Sequence, residues 1–230
     1  MVIREDDGSV RLAANRDEYY DRPTDEPVEW PVRPAVWAGR DRVAGGTWLA
    51  VNECGVVAAV TNRPTLDGHD PARPSRGQLP LLACRHASAA AAAGAFTEHL
   101  ARTRYNGFNL FVCDHSSAAV FESPCGESVA RPVGPGVHVV GNGAWDDPSD
   151  PRVARALAVL AGRTDSEALK AVCRDHAVLA GAPPLCVHGP LAGTRSSTIL
   201  LLASDGALAA YHHASGPPCV TPYRLLPFVL

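Results

Sequence analysis

From Val2 to Ala214 the apolar residues fall into short runs joined by turns rich in Gly and Asp. The strand pattern is interrupted twice, each time by two consecutive helical segments. This alternation constrains the fold more than any other feature. Strands joined by tight turns lie antiparallel, and helices that arrive in pairs cover sheets rather than cross between parallel strands. VIRE and SVRLAA flank Asp6-Asp7-Gly8 and predict a hairpin over 2–5 and 9–14. A three-residue loop there sets Ile3 opposite Arg11 and Met1 opposite Ala13. GGTWLAVN (45–52) and GVVAAVTN (55–62) predict a second hairpin, each strand closing on an asparagine. Strands are expected over 107–114, 117–123 and onward to Asn142, in a short PPLCVHG segment, and over 195–204 and 207–214. Residues 23–34, with four prolines, read as an extended loop. Helices are expected from a Ser75 cap through Pro80, over 88–103, over 151–161 behind Asp150-Pro151, and over 166–179 behind Asp165 or Ser166. The count fits an α+β fold in one domain, 1–230, with two sheets inside and helices outside.

Composition narrows the function. The chain has 230 residues, 46% hydrophobic, with net charge -3 and pI near 6.3. It lacks the basic footprint of a nucleic-acid binder, and Lys170 is the only lysine. No stretch approaches a membrane span, and MVIREDDGS does not read as a leader. Seven cysteines, at 54, 84, 113, 125, 173, 186 and 219, include no CxxC pair. That spacing predicts neither a zinc nor a redox motif, and it fits free thiols in a cytoplasmic protein. HExxH and G-x-S-x-G are also absent, so no metal site and no α/β-hydrolase elbow is expected.

The predicted strand ends carry a chemical set. Asn15, Arg16 and Asp17 close one strand, Asn62 another, Asn142 a third, and Arg195 with Ser196 opens a fourth. Each alone is an ordinary turn or surface residue. Converged at one sheet edge, the asparagines can donate to an oxyanion, Asp17 can hold an amine and an arginine can steady a carboxylate.

LAANRDEYYDRP, AGRDRVAGGTWLAVN, VAAVTNRP, SRGQLP, YNGFNLFV, VVGNGAWDDPSDPRV and GTRSSTILLL occur in an order that resembles the NRDE family, also called the transport and Golgi organisation family. The resemblance spans nearly the whole chain. It implies a four-layer αββα sandwich of the N-terminal-nucleophile hydrolase type, similar to the cysteine branch that cleaves amides. In that branch an N-terminal cysteine attacks the carbonyl and its own α-amine takes the proton. By the resemblance, Asp17 would position that amine and Asn62 and Asn142 would serve the oxyanion and the substrate. Arg195 would support the thiolate. Asn15, Arg16, Trp48 and Ser196 would complete the binding surface, Arg16 ranking below Arg195 because it does not map onto the acylases' catalytic arginine.

One departure matters. The family begins Met-Cys, whereas this chain begins Met1-Val2-Ile3. The hairpin register puts Asn15 and Asp17 beyond Met1, so the expectation is a cysteine just upstream of Met1. The competing expectation is a protein that binds and traffics haem or another small molecule. Trp30, Trp37, Trp48 and Trp145 would then line a slot, and His138, His188, His212 or His213 would supply a ligand. An amide or acyl hydrolase requires no cofactor.

Overall fold

The computed structural model describes residues 1–64, 68–124, 127–178 and 184–228. Thirteen strands and four helices occupy them. In chain order the strands are β1 (Val2–Arg4), β2 (Val10–Tyr19), β3 (Thr24–Trp30), β4 (Val36–Asp41), β5 (Leu49–Asn52) and β6 (Val57–Asn62). Helices α1 (Gln78–Ala83) and α2 (Ala89–Arg102) follow. Next come β7 (Phe108–Cys113), β8 (Ala118–Ser123), β9 (Val129–Pro132) and β10 (Gly136–His138), then α3 (Pro151–Leu160) and α4 (Ser166–Arg174). The last strands are β11 (Ala192–Leu202), β12 (Leu208–Ala214) and β13 (Arg224–Leu225).

The strands form two antiparallel sheets. One has the order β10-β1-β2-β11-β12-β13, the other β3-β4-β5-β6-β7-β8-β9. Because side chains alternate along a strand, each sheet buries both faces. Val10, Leu12 and Leu200 of the first sheet meet Val51, Val57 and Phe111 of the second in the central layer. Ile3, Ala13 and Ile199 turn the other way, onto Val153, Leu169 and Val172 of α3 and α4. Ala58, Leu110 and Phe121 meet Leu79 of α1 and Ala92, Phe96 and Leu100 of α2. The result is the αββα sandwich.

The first hairpin has the expected register. Ile3 pairs with Arg11, and Ala13 N donates to Met1 O at 2.9 Å. Gly8, at φ +88°, supplies the left-handed residue of the turn. Ser88 caps α2, Asp150 caps α3 with Pro151 behind it, and Asp165 caps α4.

Five expectations are corrected. Residues 24–30 form a strand despite Pro27, because β3 is an edge and the proline sits in a bulge between Asp25 and Val28. Asn15 to Glu18 are not a turn: β2 continues to Tyr19, paired along that length with β11. Ser75 does not cap α1, whose N-cap is Gly77. The Ser75 hydroxyl instead accepts from Gly77 N at 3.2 Å, and Pro80 falls in the first turn. β10 stops at His138, leaving Asn142 on the loop that follows. The PPLCVHG segment begins at 183, outside the described residues, and its described part contributes an isolated bridge between His188 and Gly193.

Candidate active site

The site follows from a mismatch in strand length. β2 pairs with β1 as far as Ala13, and past that point its described partner is β11 on the other side. The free flank of β2 opens a cavity of about 520 Å³, within the range of small-molecule sites. Asn15, Arg16 and Asp17 form its floor. Trp48 and β6 to Asn62 form one wall, and the Val139–Trp145 loop another. Arg152 of α3 and Cys173 of α4 close the far side.

Asp17 is fixed from two directions. Thr194 Oγ1 donates to Asp17 Oδ1 at 2.6 Å, and Arg152 Nη2 lies 3.4 Å from Oδ2. Thr194 is fully buried and also accepts from Val187 N at 2.8 Å. Arg152 donates to Pro184 O at 3.0 Å as well. Asn142 Nδ2 donates to Asn62 O at 2.7 Å, so the two asparagines meet at the rim. The loop that carries Asn142 is tied down by Asn109, which donates to Gly143 O at 2.9 Å, and by Glu122, which accepts from Trp145 N at 2.9 Å. Buried Glu122 is itself held by Arg63 at 3.1 Å and by Arg131.

Among the described residues that line this cavity, three buried polar atoms have no hydrogen-bond partner: Asn15 Oδ1, Arg16 Nη1 and Arg152 Nε. Asn15 uses its amide nitrogen on Cys173 O and Leu185 O, both at 2.9 Å, which leaves its oxygen unpaired. The Arg16 guanidinium lies 4.4 Å over the Trp48 ring, with Glu18 at 3.8 Å as its ion partner. Burial pulls the pKa of Arg16 down. Unpaired buried donors and acceptors are costly, and three of them belong to residues of this one cavity. Burial also lowers the pKa of the Met1 amine on the same cavity, where it donates to Ala13 O at 2.9 Å. The Cys173 thiol is pushed up by desolvation, which keeps it protonated.

Not every expected residue arrives. Arg195 lies outside the cavity lining. It sits at a bulge of β11 and donates to Tyr19 O at 3.0 Å and to Tyr20 O, holding the end of β2. Ser196 is buried beside Arg16 on the neighbouring strand, also outside the lining. Trp48 and Trp145 reach the cavity; Trp30 and Trp37 do not. Of the histidines weighed as haem ligands, His138 is the one on the lining. Both its ring nitrogens are engaged, Nδ1 with Asp146 at 2.6 Å and Nε2 with Gly134 O at 3.0 Å. Sequence reasoning did not single out Arg152, Thr194 or Asn109. Their signal was there: each falls inside a quoted block, DDPSDPRV, GTRSST or YNGFNLFV.

The layered sheets and the cavity on the β2 flank define an N-terminal-nucleophile hydrolase-like fold. A Caenorhabditis elegans N-acylethanolamine-hydrolyzing acid amidase ortholog superposes with a TM-score of 0.59 at 14% identity, covering 98% of each chain. Penicillin V acylase from Agrobacterium tumefaciens gives 0.54 at 16% identity, over 93% of this chain and 81% of that one. Within that class, the chain belongs to the Transport and Golgi organisation 2 family, whose model matches residues 6–180. The Bos taurus Transport and Golgi organization protein 2 homolog is 30% identical over 232 residues, covering 85% of this chain and 82% of the relative. The Homo sapiens homolog is 28% identical, with the same coverage. Among the described residues no helix is long and apolar enough to cross a membrane.

Proposed function

We propose that the cavity is an acyl-hydrolase site, for amides or thioesters, of the N-terminal-nucleophile type. The observation that carries this reading is the doubly anchored Asp17 on the free flank of β2, in one cavity with Asn62 and Asn142. A cysteine delivered to the free flank of β2 would meet Asp17, which holds its amine as the base. The thiolate adds to the carbonyl carbon, and the oxyanion takes hydrogen bonds from Asn62 and Asn142 at the rim. The leaving group departs with the proton from the amine, and water then cleaves the thioester. Arg195 acts at one remove by fixing the end of β2. Of the structural neighbours described above, one is an acylase and the other an acid amidase by name, in keeping with this reading.

The test is a graded series of short N-terminal extensions, each beginning with cysteine, assayed on a broad acyl panel. Thiol-dependent acyl transfer is expected at one length and is lost on Asp17→Asn or on changing the new cysteine to serine. No acyl transfer at any length, together with a saturable Soret shift on haem titration, would replace the hydrolase with a small-molecule carrier.

A further inference from the structure

Away from the cavity, His176, His188 and Cys219 meet where the α4–β11 connection and the turn after β12 converge, with Cys186 against His188 and Cys219. His176 follows α4, Cys186 and His188 precede β11, and Cys219 lies in the turn after β12. Cys186 Sγ and Cys219 Sγ are 3.7 Å apart. His188 Nε2 is 3.7 Å from Cys186 Sγ and 3.2 Å from Cys219 Sγ. The ligating atoms of His176, His188 and Cys219 all lie within 4.8 Å of one another.

The three spacings among Cys186, His188 and Cys219 fit the edges of one face of a tetrahedron. Zinc bonds of about 2.3 Å to sulfur and about 2.0 Å to nitrogen put two sulfurs about 3.8 Å apart and a sulfur and a nitrogen about 3.6 Å apart. All three edges among Cys186, His188 and Cys219 agree to within a few tenths of an ångström. Thiol hydrogen bonds would explain each distance singly. His176 packs edge-on against His188, ring centroids 5.7 Å apart, which brings a second imidazole to the same place.

The backbone prepares each ligand. Cys186 lies in a bend and His188, two residues on, in an isolated bridge with Gly193, and both side chains reach Cys219 Sγ. Leu185 N and Cys186 N both donate to Asp175 O, at 3.0 and 2.8 Å, and Val187 is held to Thr194. Cys219 sits in a turn closed by Val220 N and Thr221 N on Pro217 O. The Nδ1 of His176 lies 3.0 Å from Arg174 O, and donating there leaves Nε2 free to ligate. A second-shell bond of this kind orients metal-bound histidines. His176 and His188 are exposed, so an ion can enter, while buried Cys186 forms the base.

We propose that Cys186, His188, Cys219 and His176 form a structural zinc site. Two soft sulfurs with two imidazoles select zinc over hard cations, and four protein ligands close the coordination sphere. Binding releases the two thiol protons to solvent. The ion would cross-link the exit of α4, the segment before β11 and the turn after β12. Its effect reaches the cavity, because Val187 lies between two ligands and its N–H holds the Thr194 hydroxyl that bonds Asp17. No CxxC pair announces the site because its cysteines come from two separate connections.

The test uses the full chain, reduced and stripped with a chelator, then titrated with Zn²⁺ against a chromophoric competitor and separately with Co²⁺. Expected are saturation at a single ion per chain and a higher melting temperature with zinc. The cobalt form should show thiolate charge-transfer bands and a tetrahedral d–d spectrum. Cys219→Ser and His188→Ala should each abolish saturable uptake, and His176→Gln should weaken it. No saturable uptake by the reduced wild-type chain would overturn the proposal, whether or not the variants fold. Uptake undiminished in the Cys186→Ser/Cys219→Ser variant, marking mere adsorption to surface histidines, would overturn it too. So would a Cys186–Cys219 disulfide in the protein isolated from its native source.

Discussion

Thr194 Oγ1 donates to Asp17 Oδ1 at 2.6 Å and accepts from Val187 N at 2.8 Å, so one hydroxyl joins the cavity floor to the segment behind it. Thr194→Val keeps the shape and removes the hydroxyl. Asp17 is part-exposed and recovers water, but Val187 N loses its partner. The expected cost is about 1–3 kcal/mol, the range for a buried donor left unpaired. Thr194→Ser should stay close to wild type. Urea unfolding at constant m-value checks both.

Two histidines should give stability opposite pH slopes. His213 is buried against Thr198 Oγ1 at 3.1 Å, and desolvation holds its pKa down at about 4. The unfolded chain binds that proton more readily. The stabilisation is therefore complete above about pH 6.5 and lost as pH falls toward about 4, on the order of 3 kcal/mol. His138 runs the other way, because its bond to Asp146 raises its pKa. Its contribution is full below about pH 6.5 and fades as pH rises through the folded-state value. Urea midpoints across pH should show the acid slope flattened in His213→Gln and the alkaline slope flattened in His138→Gln.

The layers were legible in the sequence because hairpin register and apolar alternation are local properties. Ile3 opposite Arg11 follows from one turn. What an asparagine does at a strand end is not local. Asn52 and Asn62 close the two strands of one hairpin and look alike in the sequence. Asn52 is fully buried and spends its side chain on Cys84 O, His86 O, Cys54 N and Val56 N. Asn62 reaches the cavity and meets Asn142. The difference lies in what packs above each one. Arg16 and Arg195 are a second such pair, separated by side-chain direction across two neighbouring strands. Pro27 in β3 misled for a related reason: a proline excludes a central strand, but whether a strand is an edge depends on the whole sheet.

Arg195→Ala tests whether that arginine clamps β2 or touches the reacting atoms. Its guanidinium donates to Tyr19 O and Tyr20 O and lies outside the cavity lining. Stability should fall by about 1–2 kcal/mol for the lost charge-assisted bonds. In a cysteine-extended chain with acyl-transfer activity, KM should rise more than kcat falls, because the floor residues shift without losing a reacting group. An equal drop in kcat and kcat/KM would instead give Arg195 a direct role in the transition state.

Arg16→Met separates ligand binding from folding. Arg16 is 8% exposed, its Nη1 has no partner, and its ion partner Glu18 is at a loose 3.8 Å. A charge held this way costs desolvation that the ligand-free protein does not recover. Methionine keeps the contact with Trp48 and removes that cost, so the melting temperature should hold or rise by about 2–4 °C. The same substitution should abolish any thermal stabilisation by carboxylate-bearing acyl ligands, because it removes the positive charge from the cavity floor. Arg16→Lys should fail to restore it, since an ammonium neither stacks on Trp48 as a plane nor presents a fork. Melting curves with and without ligand decide the matter. A loss of more than about 2 kcal/mol in the ligand-free Arg16→Met protein would mean that Arg16 holds the fold rather than a ligand.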